Sequence, residues 1–152
     1  MKRFEFKLQS LLNYKKHLEQ MARQEMAKAV ADVNACETQI LKLHETKKNA
    51  AQRLEQLVEK GVGSGEFKLH NGFLTILGQM IIEENRRKQQ LEKILDEKRS
   101  MLTKRTIDKK AMERLREKRA QEYTREMLSE EQKALDEVAS LKTVRELADD
   151  RK

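Results

Sequence analysis

The sequence predicts an all-α protein: a long two-stranded antiparallel coiled-coil hairpin in which the C-terminal helix overhangs its partner. Three observations predict it. There is no proline in 152 residues, charged residues make up 39% against 4% aromatic, and three of the five glycines fall within Gly61-Val62-Gly63-Ser64-Gly65. Proline breaks helix interiors, so its absence permits very long helices. A compact domain of this length normally buries large aromatic and aliphatic side chains, which this composition supplies thinly. Disorder would also fit the charge, but disordered segments lack sustained apolar periodicity.

The first helix is expected over about residues 4–59. From Ala22 the apolar or small positions run Met26, Ala29, Val33, Cys36, Ile40, Leu43, Ala50, Leu54 and Leu57, with Lys47 in the one polar slot. Steps alternating four and three are the 3.5-residue repeat of a coiled-coil seam. Leu8, Leu11, Leu12 and Leu18 precede it. Passing from Leu18 through Ala22 to Met26 takes two successive steps of four, which predicts a stutter. At 1.5 Å per residue this helix is roughly 80 Å long.

The glycine cluster marks the turn, placed at residues 60–65, with Ser64 expected to cap the next helix. The second helix is expected over about 66–147, with a frayed tail at 148–152, all within a single coiled-coil domain. Its apolar positions are Leu69, Phe73, Ile76, Leu77, Met80, Leu91, Ile94, Leu95, Met101, Leu102, Met112, Leu115, Met127, Leu128, Leu135, Val138, Leu141 and Val144. Folding back at residue 63 makes facing residues sum to about 126. That register puts Leu11 opposite Leu115, Met26 opposite Leu102, Val33 opposite Ile94, Cys36 opposite Leu91 and Leu54 opposite Phe73. Helix one then runs out opposite about residue 122. The end of helix two has no intrachain partner, and a lone helix is marginal in water. It is expected to dock on something.

Catalytic chemistry finds no support in the sequence. The glycine cluster lacks the Gly-Lys-Ser/Thr of a phosphate-binding loop and no strand precedes it. His17, His44 and His70 are far apart, and there is no Cys-x-x-Cys or His-x-x-x-His pair to hold a metal. Cys36 lies on the seam, where packing explains it; a single cysteine allows no internal disulfide and fits a reducing cytoplasm. No cofactor is implied and no enzyme is expected. The basic start is interrupted by Glu5 and Lys7, so it does not read as a signal peptide. The longest apolar region, residues 73–82, is too short to cross a bilayer.

Two surfaces invite partners. Between Arg86 and Arg119 there are 14 Lys/Arg and 6 Asp/Glu, whereas residues 120–152 carry 6 and 9. Such a basic stripe is a solvated flank, a site for an acidic protein surface, or a phosphate-binding face, the last disfavoured by its interspersed carboxylates and lack of stacking aromatics. After the turn, Phe73, Leu74, Ile76, Leu77, Met80, Ile81 and Ile82 cover almost the whole circumference of a helix. One seam buries only about two of every seven residues, so several of these should stay exposed as an interaction patch.

The stretch Phe4-Glu-Phe-Lys-Leu8-Gln-Ser-Leu-Leu12 resembles the opening F-x-F-x-L-x-x-L-L of the FliJ family of bacterial flagellar export proteins, relatives of type III secretion stalk proteins. Glu131-Gln-Lys-Ala-Leu135-Asp-Glu-Val138-Ala resembles the same family's E-x-K-x-L-D-E-x-A, and the mid-chain glycine turn and apolar patch agree. The resemblance spans essentially the whole chain. It implies a non-enzymatic part of the flagellar type III export apparatus, cytoplasmic and peripheral at the inner face of the membrane. The family's hairpin is similar to the paired helices of the rotary ATP synthase γ subunit. It enters the pore of a hexameric export ATPase, promotes its assembly, links it to the membrane-embedded export gate and binds certain export chaperones. By resemblance the gate-contacting positions are Phe73, Leu77 and Met80. The expected ATPase-facing surface comprises Leu8, Leu11, Leu12 and Leu18 with Leu128, Leu135, Val138 and Leu141, and Arg114, Arg116 and Arg119 as electrostatic contacts. The alternatives are a generic coiled-coil scaffold or chaperone-binding protein and, less favoured, a nucleic-acid-binding basic rod.

Overall fold

A computed structural model describes residues 3–149. Two helices account for nearly all of them: α1, Gln9–Lys60, and α2, Ser64–Asp149. There is no strand among the described residues. α1 starts five residues later than the expected residue 4. Phe4 to Phe6 lie outside it, the Gln9 amide donates to the Phe6 carbonyl at 3.0 Å, and the Leu12 amide donates to Leu8 at 3.0 Å. The expected tail 148–152 is helical through Asp149, and its last three residues lie outside the described ones.

The turn is shorter than the glycine cluster. Gly61 has φ of +84°, the left-handed conformation that ends a helix, and its amide donates to Val58 at 3.2 Å. The Gly63 carbonyl accepts the first bond of α2, from Phe67 at 3.0 Å. Gly63 therefore takes the capping position and Ser64 is already the first helical residue. Glu66 in the first turn suits the positive end of the helix dipole.

The chain forms two compact units, Leu18–Arg105 and the Met1–His17 stretch with Thr106–Lys152. In the first, α1 and α2 pack side by side around two apolar clusters. Ala29, Val33 and Leu95 form one, flanked by Met26, Val30 and Leu91. Leu43, Leu77 and Ile81 form the other, with Ala50 against it. Burying a side chain such as Leu77, 4% exposed, contributes about 1.5–3 kcal/mol.

From Ala22 onward the buried or half-buried positions of α1 are those the sequence picks out together with Val30, and Lys47 is exposed. The seam of α2 differs from expectation. It runs Leu77, Ile81, Glu84, Lys88, Leu91, Leu95, Lys98, Leu102 and Arg105, an unbroken alternation of four and three. Four of those nine are charged, and the apolar Ile94 (44% exposed) and Met101 (41%) lie off it. Lysine stems can line a seam while their ammonium groups reach out. Here Lys88 Nζ reaches Glu37 Oε1 at 3.2 Å and Lys98 Nζ reaches Glu25 Oε2 at 2.9 Å. These pairs sum to 125 and 123, within one turn of the expected register. Val33 packs on Leu95 rather than Ile94, and Cys36 meets Glu84 rather than Leu91.

Leu18, Ala22 and Met26, the positions of the predicted stutter, are all covered, but so is Glu19. Leu12, Lys15, Glu19, Ala22 and Met26 give a three-four alternation beside it, with Glu19 5% exposed and Leu18 half-buried like Lys15 and Met26. Arg23 makes the burial tolerable: its Nη2 lies 2.7 Å from Glu19 Oε1. A buried carboxylate needs such a partner.

In the second unit, Leu12 is fully buried, Lys15 Nζ lies 3.7 Å from Asp108 Oδ2, and the Phe4 and Tyr123 rings meet at 5.7 Å with 46° between their planes. Beyond Met127 every described residue is exposed.

Candidate partner-binding surfaces

The segment after the turn divides by face. Leu77 and Ile81 enter the seam against Leu43. Phe73 (47% exposed), Ile76 (55%), Met80 (42%) and Ile82 (55%) stay outside, with Phe67 and Leu69 also exposed. Of the three residues expected to meet a gate, then, Phe73 and Met80 are accessible and Leu77 is core. The reason is geometric: Leu77 lies four positions before Ile81 and holds the seam slot, whereas Phe73 and Met80, seven apart, share a flanking row. Leu54 is buried, whereas Phe73 is 47% exposed and lines a groove with Ala50 and Arg53; His70 and Leu74 are half-buried positions of α2. Thr46, Asn49, Ala50 and Arg53 of α1 and Leu69, His70 and Phe73 of α2 line an open groove of about 600 Å³.

The residues expected to meet an ATPase also separate. Leu12 is buried, whereas Leu8 (42%) and Leu11 (41%) are exposed. Leu18 is half-buried and belongs to the other compact unit. Arg119 joins Phe4, Phe6, Leu115 and Tyr123 around a groove of about 670 Å³, and its Nη1 lies 3.6 Å from Glu122 Oε2. Arg116 lines a neighbouring groove with Phe4, Lys16 and Glu113. Arg114, two residues earlier, projects about 200° around the helix from Arg116 and does not join them. Leu128, Leu135, Val138 and Leu141 are 53–69% exposed, and Val144 and Leu147 continue the series.

The expected register puts Ile94 on the seam opposite Val33, and Met101 is an apolar position of helix two with no facing partner assigned. The signal that relocates them is spacing: Phe73, Met80, Ile94 and Met101 all fall on one seven-residue register, with Arg87 between.

No chemical centre accompanies these surfaces. The Cys36 thiol is buried, with Sγ 3.4 Å from both the Glu84 carbonyl and Glu84 Oε2. Burial, then the hydrogen bond and negative charge of Glu84, hold its pKa above the ordinary thiol value, so it is a poor nucleophile. Among the described residues no group of three or more His, Cys, Asp or Glu is placed to hold a metal, and no helix is long and apolar enough to cross a membrane.

The model of the flagellar FliJ protein family matches residues 4–148, nearly the whole chain. This chain belongs to the FliJ family. Membership makes it a component of the flagellar, type III protein export system, and its FliJ-type F-x-F opening includes Phe4, the ring set against Tyr123. A solved structure of a YscO homologue from Chlamydia trachomatis is similar to this FliJ-family chain at 16% identity and a TM-score of 0.46, covering 99% of it and 100% of the other chain. No curated protein matches it in sequence.

Proposed function

We propose that this FliJ-family protein binds and activates the hexameric export ATPase through its terminal region and links it to the membrane export gate through the patch after the turn. The observation that carries the reading is the bare end of α2. From Leu128 to Asp149 every residue is exposed, including Leu128, Leu135, Val138, Leu141, Val144 and Leu147. An isolated helical end of this kind is marginal in water, and an apolar row this long is a docking surface in want of a partner. Leu8, Leu11, Arg116 and Arg119 lie in the same compact unit and would extend that contact. Phe73 and Met80 are the gate-facing residues under this proposal, and Leu77 supports them from the seam. Escort of export chaperones would use the same exposed rows.

The test is ATP hydrolysis and hexamer formation by the export ATPase with increasing amounts of the full chain. Both should rise, and truncation after Met127 should abolish the rise while leaving the thermal midpoint of the remaining protein within a few degrees, because residues 128–149 are all exposed. A truncated protein that activates fully would end the stalk reading. Gate capture by the full chain should weaken for Phe73→Ala and Met80→Ala with circular dichroism unchanged.

A further inference from the structure

α2 carries a second heptad row beside the one it buries. Leu69 (73% exposed), Phe73 (47%), Ile76 (55%) and Met80 (42%) are spaced four, three and four, the same repeat that builds the seam. A row of that spacing stays on one strip of a helix and matches a helix laid alongside it. On α1, Thr46, Asn49 and Arg53 line the groove, and Lys42 lies four residues before Thr46 on the same row, so that the row is also spaced four, three and four. Arg53, Asn49 and Thr46 line the same groove as Leu69 and Phe73.

The charges of these two walls are one-sided. From Leu69 to Ile82, α2 has no Asp, Glu, Lys or Arg. The α1 row has Lys42 and Arg53 as its charged members; Glu55 and Glu59 fall at other angular positions on that helix, and Glu45, three residues after Lys42, lies along the outer edge of the row. We infer that the groove takes a third helix, an amphipathic segment of a partner protein with apolar residues spaced four and three and carboxylates along the flank that faces α1. Apolar burial would give affinity, and the two cations would fix which way round the helix lies.

A second copy of this chain is the other occupant its own sequence offers, through the exposed end of α2, and it fits less well. There Leu135, Val138, Leu141, Val144 and Leu147 recur every three residues, so each step turns about 60° short of a full circle and the row winds away from a straight groove. Such a head-to-tail contact would also not close.

This inference rests on the reading of the patch as a gate-contact surface and names the class of segment it grips. It is tested without any gate protein. A synthetic 21-residue helical peptide with leucines spaced four and three and glutamates on one flank is titrated onto the full chain by fluorescence anisotropy, beside a twin with lysines for the glutamates. The acidic peptide should bind about tenfold more tightly than its twin. Ile76→Asp, an exposed change that leaves the fold intact, should weaken it by about as much, and Arg53→Glu should reverse the preference between the peptides. Equal binding of the two peptides, or indifference to both substitutions, would overturn the inference even where gate capture still depends on Phe73. Concentration-dependent self-association lost in Ile76→Asp would overturn it in favour of a second copy. Loss of gate capture with peptide selectivity intact would sink the gate reading instead.

Discussion

Neighbouring apolar residues after the turn have opposite fates, and energy tells them apart. Leu77 is 4% exposed against Leu43 and Ile81, so Leu77→Ala should cost about 2–5 kcal/mol in urea unfolding. Phe73, nearly half exposed, should lose under about 1 kcal/mol on truncation and show its cost in partner binding instead. Equal losses would place Phe73 in the core. Cys36 offers a pH probe. Its folded pKa is raised by burial and by Glu84, so the folded state keeps a proton that the unfolded chain gives up. That stabilisation is complete below the ordinary thiol range and drains away as pH climbs from there toward the folded value. The wild type should therefore lose stability above about pH 9 relative to Cys36→Ala, whose profile lacks this contribution; parallel profiles would show that Glu84 and burial do not act on the thiol.

Within the elements, two glycines with opposite duties separate conformational need from accident. Gly61 has positive φ, where a side chain is strained, so Gly61→Ala should lower stability by roughly 1 kcal/mol. Gly78 lies inside α2, and a Cβ added there meets only the flexible end of Lys47 at 3.5 Å, an ordinary contact. Gly78→Ala should raise stability by up to about 1 kcal/mol, read from the same denaturant curves. Both changing in the same direction would contradict the turn geometry. The α1 seam was legible in the sequence because apolar residues mark it. The α2 seam was legible only in part, since Lys88, Lys98 and Arg105 take slots where an apolar residue was sought, and their stems, not their charges, do the covering. Glu19 was illegible in the same way: Leu18 next to it is the more apolar residue, yet Glu19, paired with Arg23, is the more deeply buried.

For the chain as a whole, family membership and the helical hairpin rest on patterns distributed over nearly all of its length, which is why the sequence displays them so openly. The site residues were less legible, because apolarity alone does not separate the strip facing α1 from the strip beside it. Seven-residue spacing does: Leu77 and Phe73 are both apolar, but only one of them shares a register with Glu84 and Leu91. The two apolar clusters also carry a message about time. Leu43 and Leu77 are 34 positions apart along the chain, whereas Val33 and Leu95 are 62 apart. Closing the longer loop costs about 0.5 kcal/mol more, so the cluster nearer the turn should form first and the helices should zip away from it. In stopped-flow refolding, Leu77→Ala should chiefly slow folding, and Leu95→Ala should chiefly speed unfolding. The reverse assignment would mean that the chain begins its assembly away from the turn.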